Sequence, residues 1–121
     1  MKKVLDLLPS VLLGALFLFG GIGYFIPMGE VPKMSGEAAK YYTLLDASGI
    51  MRVVKILEII GGAIILIPSK RALGLTILAP IIINILLFEI CLVGTVQASI
   101  GTILLSAIIA YQEKDKFKAL L

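Results

Sequence analysis

Five residues hold most of the chemistry available to this chain: Arg52, Lys55, Glu58, Asn84 and Glu89. Arg52, Lys55 and Glu58 recur every third residue within Ile50-Met51-Arg52-Val53-Val54-Lys55-Ile56-Leu57-Glu58. On a helix they share one face, and Gly61 and Gly62 follow close behind. Ionised side chains in so apolar a run are expensive. At mid-membrane each costs at least ~2.5 kcal/mol on insertion scales, so such groups normally turn toward neighbouring helices and find partners there. Asn84 and Glu89 supply partners from a later apolar run. A lysine or arginine in such a site donates to a ligand carbonyl. A carboxylate in a low-dielectric site binds its proton more tightly, which suits a proton carrier.

Other chemistries have no residues to run on. The chain contains no histidine, which removes the commonest metal ligand, the usual haem ligand and the default proton shuttle. No Cys/His metal spacing, nucleophile–base pair or phosphate-cradling glycine loop is present, and no metal is expected. Gly20-Gly21-Ile22-Gly23 sits inside an apolar run and is not a nucleotide loop. The single cysteine, Cys91, forms no intrachain disulfide and reads as a small hydrophobe. A net charge of +3, without a basic cluster interleaved with aromatics, is no nucleic-acid signature.

The elements that must position these residues follow from hydropathy. Apolar residues make up 60% of the 121 and charged residues 16%, against ~25% charged in an ordinary soluble domain. One small domain, residues 1–121, could not hide so much apolar surface from water, so much of it faces lipid. Four segments approach the ~20 residues that a helix needs to cross a ~30 Å hydrocarbon core. They are Ser10–Met28, entered through Pro9 and bounded by Pro27, then Ile50–Pro68, Ala72–Val93 and Val96–Tyr111. The expected architecture is an all-α, multi-pass membrane four-helix bundle. Met1-Lys2-Lys3 before an apolar run imitates a signal peptide, but Asp6 and the lack of an A-x-A-like site favour a retained helix.

Orientation follows from the basic residues. Lys2, Lys3, Lys70, Arg71, Lys114, Lys116 and Lys118 fall on one side, against Lys33 and Lys40 on the other. The positive-inside rule then places both termini in the cytoplasm (N-in/C-in). The loop Gly29–Gly49 lies outside, where Glu37–Leu45 reads as a short interfacial helix with Tyr41 and Tyr42 at headgroup level. That loop is either a plain anchored connector or a lid over a site.

Depth suggests pairs. Counted from the outer end at ~1.5 Å per residue, Lys55 lies roughly 7 Å deep and Glu89 roughly 6 Å, while Glu58 lies roughly 12 Å and Asn84 roughly 13 Å. Antiparallel neighbours would bring Lys55 level with Glu89 and Glu58 level with Asn84. The expectation is one buried polar cluster opening outward, with Arg52 near the surface. The plainer alternative is a set of interhelical pairs that only fix packing. Elsewhere, Ala98, Thr102, Ser106 and Ala110 form a smooth stripe, and Gly14, Gly20, Gly21 and Gly23 lighten the first helix. Both are packing features, within one chain or between copies in a homo-oligomer.

Val54-Lys55-Ile56-Leu57-Glu58-Ile59-Ile60-Gly61-Gly62, followed by Leu78-Ala79-Pro80-Ile81-Ile82-Ile83-Asn84-Ile85-Leu86-Leu87-Phe88, resembles the DoxX family of small bacterial membrane proteins. Gly23-Tyr24-Phe25-Ile26-Pro27-Met28 with Gly36-Glu37-Ala38-Ala39 is similar to the family's first-loop pattern, and the likeness runs from about Val11 to Tyr111. The resemblance implies a four-helix bundle in the bacterial cytoplasmic (inner) membrane and gives weight to Lys55, Glu58 and Asn84. It also implies a link to quinone-coupled sulfur oxidation or to assemblies handling thiol stress. Quinone is then the expected lipid-soluble ligand and a redox protein the expected partner. Where many relatives carry His after Asn-Ile-x-x-Phe, this chain has Glu89, so any role of that His is changed here. Two other functions compete: a small carrier or channel for an ion or polar metabolite, and a non-catalytic scaffold or assembly factor.

Overall fold

The computed structural model describes residues 2–26, 36–96 and 98–119, and every element in them is helical. Met28, Gly29, Pro32 and Lys33, which the sequence reading used for the first helix end and the outer loop, lie outside these residues. Helix α1 spans Lys2–Phe25 and begins well before the expected Ser10, with Pro9 inside it. Pro9 has no N–H to offer the carbonyl of Leu5. Apolar helices tolerate such a loss where neighbouring groups satisfy the freed carbonyl. The Ser10 hydroxyl donates to the Leu7 carbonyl at 2.8 Å on the same turn.

Helix α2 spans Gly36–Ser48, longer than the expected Glu37–Leu45, and Gly49 (φ +87°) turns the chain into α3, Ile50–Ile65. Helix α3 stops short of the expected Pro68 because a proline bars the preceding residue from helical geometry. Ile67 is accordingly extended, at φ −82° and ψ 117°. Pro68–Lys70 then forms a 3-10 turn that leads into α4, Arg71–Phe88. The expected third helix does reach Val93, but its last five residues, Glu89–Val93, form a π-helical turn. The Gly94 N–H closes it on the Glu89 carbonyl at 2.7 Å, and Gly94 (φ +92°) reverses the chain. Helix α5 covers Ala98–Gln112, and a short helix not anticipated from sequence, α6, covers Lys114–Lys118.

Packing joins the four longest helices in a closed cycle: α1 on α3, α3 on α4, α4 on α5 and α5 on α1. Their shared core holds Leu13, Phe17, Ile65, Leu75, Leu78, Ile81, Ile82 and Ile109. The α1–α3 crossing is a backbone-to-backbone contact. A Cβ on Gly14 would lie 2.8 Å from the Gly62 carbonyl oxygen, and one on Gly62 would lie 3.0 Å from that of Gly14. Gly14 and Gly21 therefore do pack within the chain, whereas Gly20 meets nothing within 4 Å. Thr102 of the α5 stripe is buried, and Ala110 packs against the core.

Large apolar side chains are exposed on all four of these helices. Leu12, Leu16 and Phe19 on α1, Val53 and Ile60 on α3, Leu73 and Leu87 on α4, and Leu104 and Ile108 on α5 are all exposed. Val4–Phe25 (mean hydropathy 2.0) and Pro68–Val93 (2.5) are long and apolar enough to cross a bilayer. Only 33% of the first and 17% of the second is buried within the protein, so neither is the enclosed core helix of a soluble fold.

Candidate functional site

Helix α3 brings Lys55 and Glu58 onto one turn, and they pair with each other. The Lys55 ammonium lies 3.0 Å from Glu58 Oε2, with the lysine side chain 20% exposed and the glutamate 6%. Oε2 is buried, and the Lys55 ammonium counters its charge. Beside this pair is a partly open cavity of about 200 Å³ between α2, α3 and α4. Tyr41, Tyr42 and Leu45 line it from α2. Met51, Val54, Lys55 and Glu58 line it from α3, and Ile81, Asn84, Ile85 and Phe88 from α4.

Helix α2 is fastened over this cavity by its aromatic residues. The Tyr41 hydroxyl donates to Asn84 Oδ1 at 3.2 Å, and its ring lies 5.5 Å from that of Phe88, tilted by 32°. From α1, the Tyr24 hydroxyl donates to Asp46 near the end of α2. Burial, with the negative charges of Asp46 and Glu58 adding to it, raises the Tyr42 phenol above the usual tyrosine range. Tyr42 is therefore a protonated donor at any physiological pH.

The five residues singled out by sequence do not form one cluster. Lys55, Glu58 and Asn84 share the cavity, as their depths required, but the expected partners are exchanged. Lys55 pairs with Glu58 rather than with Glu89, and Asn84 bonds to Tyr41 rather than to Glu58. Asn84 and Arg52 are exposed, and Arg52 is not among the lining residues. The pocket is lined from α2, α3 and α4, and no residue of α1 lines it.

Glu89 has a different task. It is buried in the π-helical turn, where its Oε1 accepts the backbone N–H of Ser99 at 2.7 Å. Ser99 lies in the first turn of α5, whose N–H groups have no partner within the helix. Glu89 thus caps α5 from the preceding element. Glu89→Ala should cost about 1 kcal/mol, the usual price of a lost cap. Glu89→Gln, which keeps an acceptor, should cost less, and neither should alter binding in the cavity. Thermal unfolding of the two variants in detergent checks the first pair of expectations.

Sequence reasoning missed two groups. Tyr41 and Tyr42 were read as interfacial anchors, with their loop a connector or a lid over a site, but they were not named as lining residues; their helical spacing with Leu45 could have placed them over α3. Arg71 was read only as a topology signal, yet it is 6% exposed. Its Nε and Nη2 lie 3.1 and 3.0 Å from Glu113 Oε1, and its Nη1 donates to the Asp6 carbonyl at 2.9 Å and to Gln112 Oε1 at 2.7 Å. Lys116 adds a contact to Glu113 Oε2 at 3.3 Å. This second polar centre ties α1, α4, α5 and α6 together at the end remote from α2. All its groups are engaged, which marks it as a fastening and leaves the cavity as the candidate site. No protein family model, curated protein or solved structure matches this chain.

Proposed function

We propose that the chain is a DoxX-like, multi-pass protein of the bacterial cytoplasmic membrane. In this reading α1, α3, α4 and α5 cross the bilayer as a four-helix bundle, both termini face the cytoplasm, and α2 lies at the outer interface. The cavity beside Glu58 then takes a lipid-soluble ligand of the quinone class, on behalf of a redox assembly in which the chain is a membrane subunit or partner. The apolar outer faces of all four helices support the four crossings. Helices α3 and α5, at 16 and 15 residues, span only about 24 and 22 Å. Flanking residues and local thinning of the bilayer make up such a shortfall at modest cost.

The observation that carries the ligand reading is the partly open cavity with a buried ion pair in its wall. Apolar lining with a few convergent polar groups is the usual make-up of a small-molecule site. Deeper along α3 the interior is filled by Leu13, Ile65 and Leu78, all 0% exposed. A blind pocket favours a bound ligand over a path for an ion or metabolite. The assembly partner rests on the family resemblance, which is an argument from analogy.

Extraction in native lipid, followed by mass spectrometry of what accompanies the protein, tests this. An isoprenoid quinone in the preparation, lost on filling the cavity with Val54→Phe, is the expected result. A redox enzyme co-purifying with the chain would support the assembly role. If neither a quinone nor a redox enzyme accompanies the protein, the reading fails and a scaffold role takes its place.

A further inference from the structure

We infer that the groove on the outer wall between α4 and α5 seats one anionic phospholipid, its acyl chain in the groove and its phosphate among the lysines at the groove's end. The site is separate from the cavity beside Glu58 and shares with it only the reading that these helices cross a bilayer.

The groove runs from Leu75 to Ile83 on α4 and from Ile103 to Ala110 on α5, with a volume of about 310 Å³. It lies on the outside of the bundle, where Ile83 and Ala107 are exposed. Its walls are apolar, and the Ser106 hydroxyl among them donates to the Thr102 carbonyl at 2.6 Å. Such a wall accepts an acyl chain but does not tell one lipid from another. A chain leaving the bulk bilayer is already in apolar surroundings, so seating it gains little. The choice between lipids falls to the head group.

Charge at the end of the groove makes that choice. The Glu113 N–H donates to the Ile109 carbonyl at 2.9 Å, which carries the helical turn past the end of α5. Lys114 therefore follows Ala110 on one helix face, about 6 Å further along. Its ammonium lies 4.8 Å from the centre of the Tyr111 ring, and Tyr111 is 72% exposed, as suits an aromatic residue at headgroup level. From the other wall, the Ser69 carbonyl accepts from Lys116 at 3.3 Å, which brings α6 against the turn that carries Lys70. Lys70, Lys114 and Lys118 are exposed and form no ion pair among the described residues. Glu113 is already engaged by Arg71 and Lys116, which leaves Asp115 as the carboxylate beside them. A second copy of the chain suits this groove poorly, because two copies oriented alike in a membrane would set one basic end against the other. A phosphate diester brings the charge that is missing, and each lysine near the surface favours an anionic lipid roughly fivefold.

The test places the full chain in phosphatidylcholine nanodiscs with a trace of spin-labelled phosphatidylglycerol or, in a matched sample, spin-labelled phosphatidylcholine with the same chains. Electron paramagnetic resonance reads the share of each label that the protein immobilises. Three free lysines predict that phosphatidylglycerol is held about 10- to 100-fold better. In the variant Lys70→Gln/Lys114→Gln/Lys118→Gln that preference should fall at least about tenfold, while Lys2, Lys3, Arg71 and Lys116 remain to hold the orientation. Ala107→Phe fills the groove from its exposed rim and should release the held lipid with every lysine in place; Ala107→Leu serves if the larger ring prevents folding. Lys40→Gln, on α2, should change nothing. Equal retention of the two lipids by the native chain overturns the site. A preference that survives the lysine variant overturns the role of the lysines, and one that survives filling of the groove overturns the groove as the seat. A dimer that holds no lipid, dissociated by Ala107→Phe, gives the groove to a second copy and overturns the lipid. A chain that does not enter the nanodisc overturns the membrane reading itself, a failure distinct from the others.

Discussion

Arg71→Met is expected to lower folding stability by about 3–5 kcal/mol, the usual cost of removing one partner from a buried ion pair. Arg71 is 6% exposed and its guanidinium reaches three residues at once: Asp6 of α1, Gln112 at the end of α5 and Glu113 between α5 and α6. Its removal leaves the Glu113 carboxylate, itself only 13% exposed, with the more exposed Lys116 as its remaining ion-pair partner. Arg71→Lys should recover little, since one ammonium cannot reproduce a planar fork with three sets of acceptors. The double variant Arg71→Met/Glu113→Leu removes the stranded charge and should regain part of the loss. Unfolding in mixed detergent, read by circular dichroism, measures all three. A single Met variant within about 1 kcal/mol of the native chain would show that the fastening carries no weight.

Gly62→Leu should cost roughly 3 kcal/mol, the upper end of what overpacking usually costs. Here the obstacle is backbone rather than a side chain that can swing away. A Cβ at Gly62 would meet the Gly14 carbonyl oxygen at 3.0 Å and the Leu18 backbone nitrogen at 3.2 Å, before any larger group is added. Helices α1 and α3 must move apart, and the core around Leu13 and Ile65 opens with them. Gly20→Ala is the matched control. Nothing lies within 4 Å of that position, so the variant should be neutral or gain up to about 1 kcal/mol in helix propensity. Thermal unfolding of the pair in one detergent gives the contrast directly. Equal melting temperatures would mean that the close crossing does not hold the helices together.

The helices were legible because hydropathy and proline act locally. Ile50 as the start of α3 follows from Gly49, and the all-helical class follows from long apolar runs that could not satisfy their backbone groups as strands. The end of α3 was legible in principle as well, since Pro68 dictates an extended Ile67. Pro9 misled because a proline suits a first helical turn, whereas here the helix already includes Val4, Leu5, Leu7 and Leu8 before it.

The candidate site was half legible. Depth along a helix axis can be counted from sequence, and it put Glu58 level with Asn84, which share one cavity, but Lys55 level with Glu89, which do not. The angle around the axis separates Asn84 from Glu89: at about 3.6 residues per turn, positions five apart lie roughly 140° from each other. Asn84 faces the cavity, while Glu89, five residues later, faces α5. Arg71 was hidden for another reason. Its acceptors lie 41, 42 and 65 positions away, and no periodicity within one helix signals contacts of that range.

In the four-crossing reading, pairing within α3 also bears on how this helix enters a membrane. An ion pair between two helices exists only after both have been inserted and have met, so each charge would first cross the lipid boundary alone. Lys55 and Glu58 stand three residues apart on one turn and can neutralise each other while the helix is still leaving the insertion machinery. Helix α3 thus carries the counterion of Lys55 within itself, so this pair needs no neighbouring helix to enter lipid neutralised. The polar wall of the cavity would then be assembled before the cavity exists.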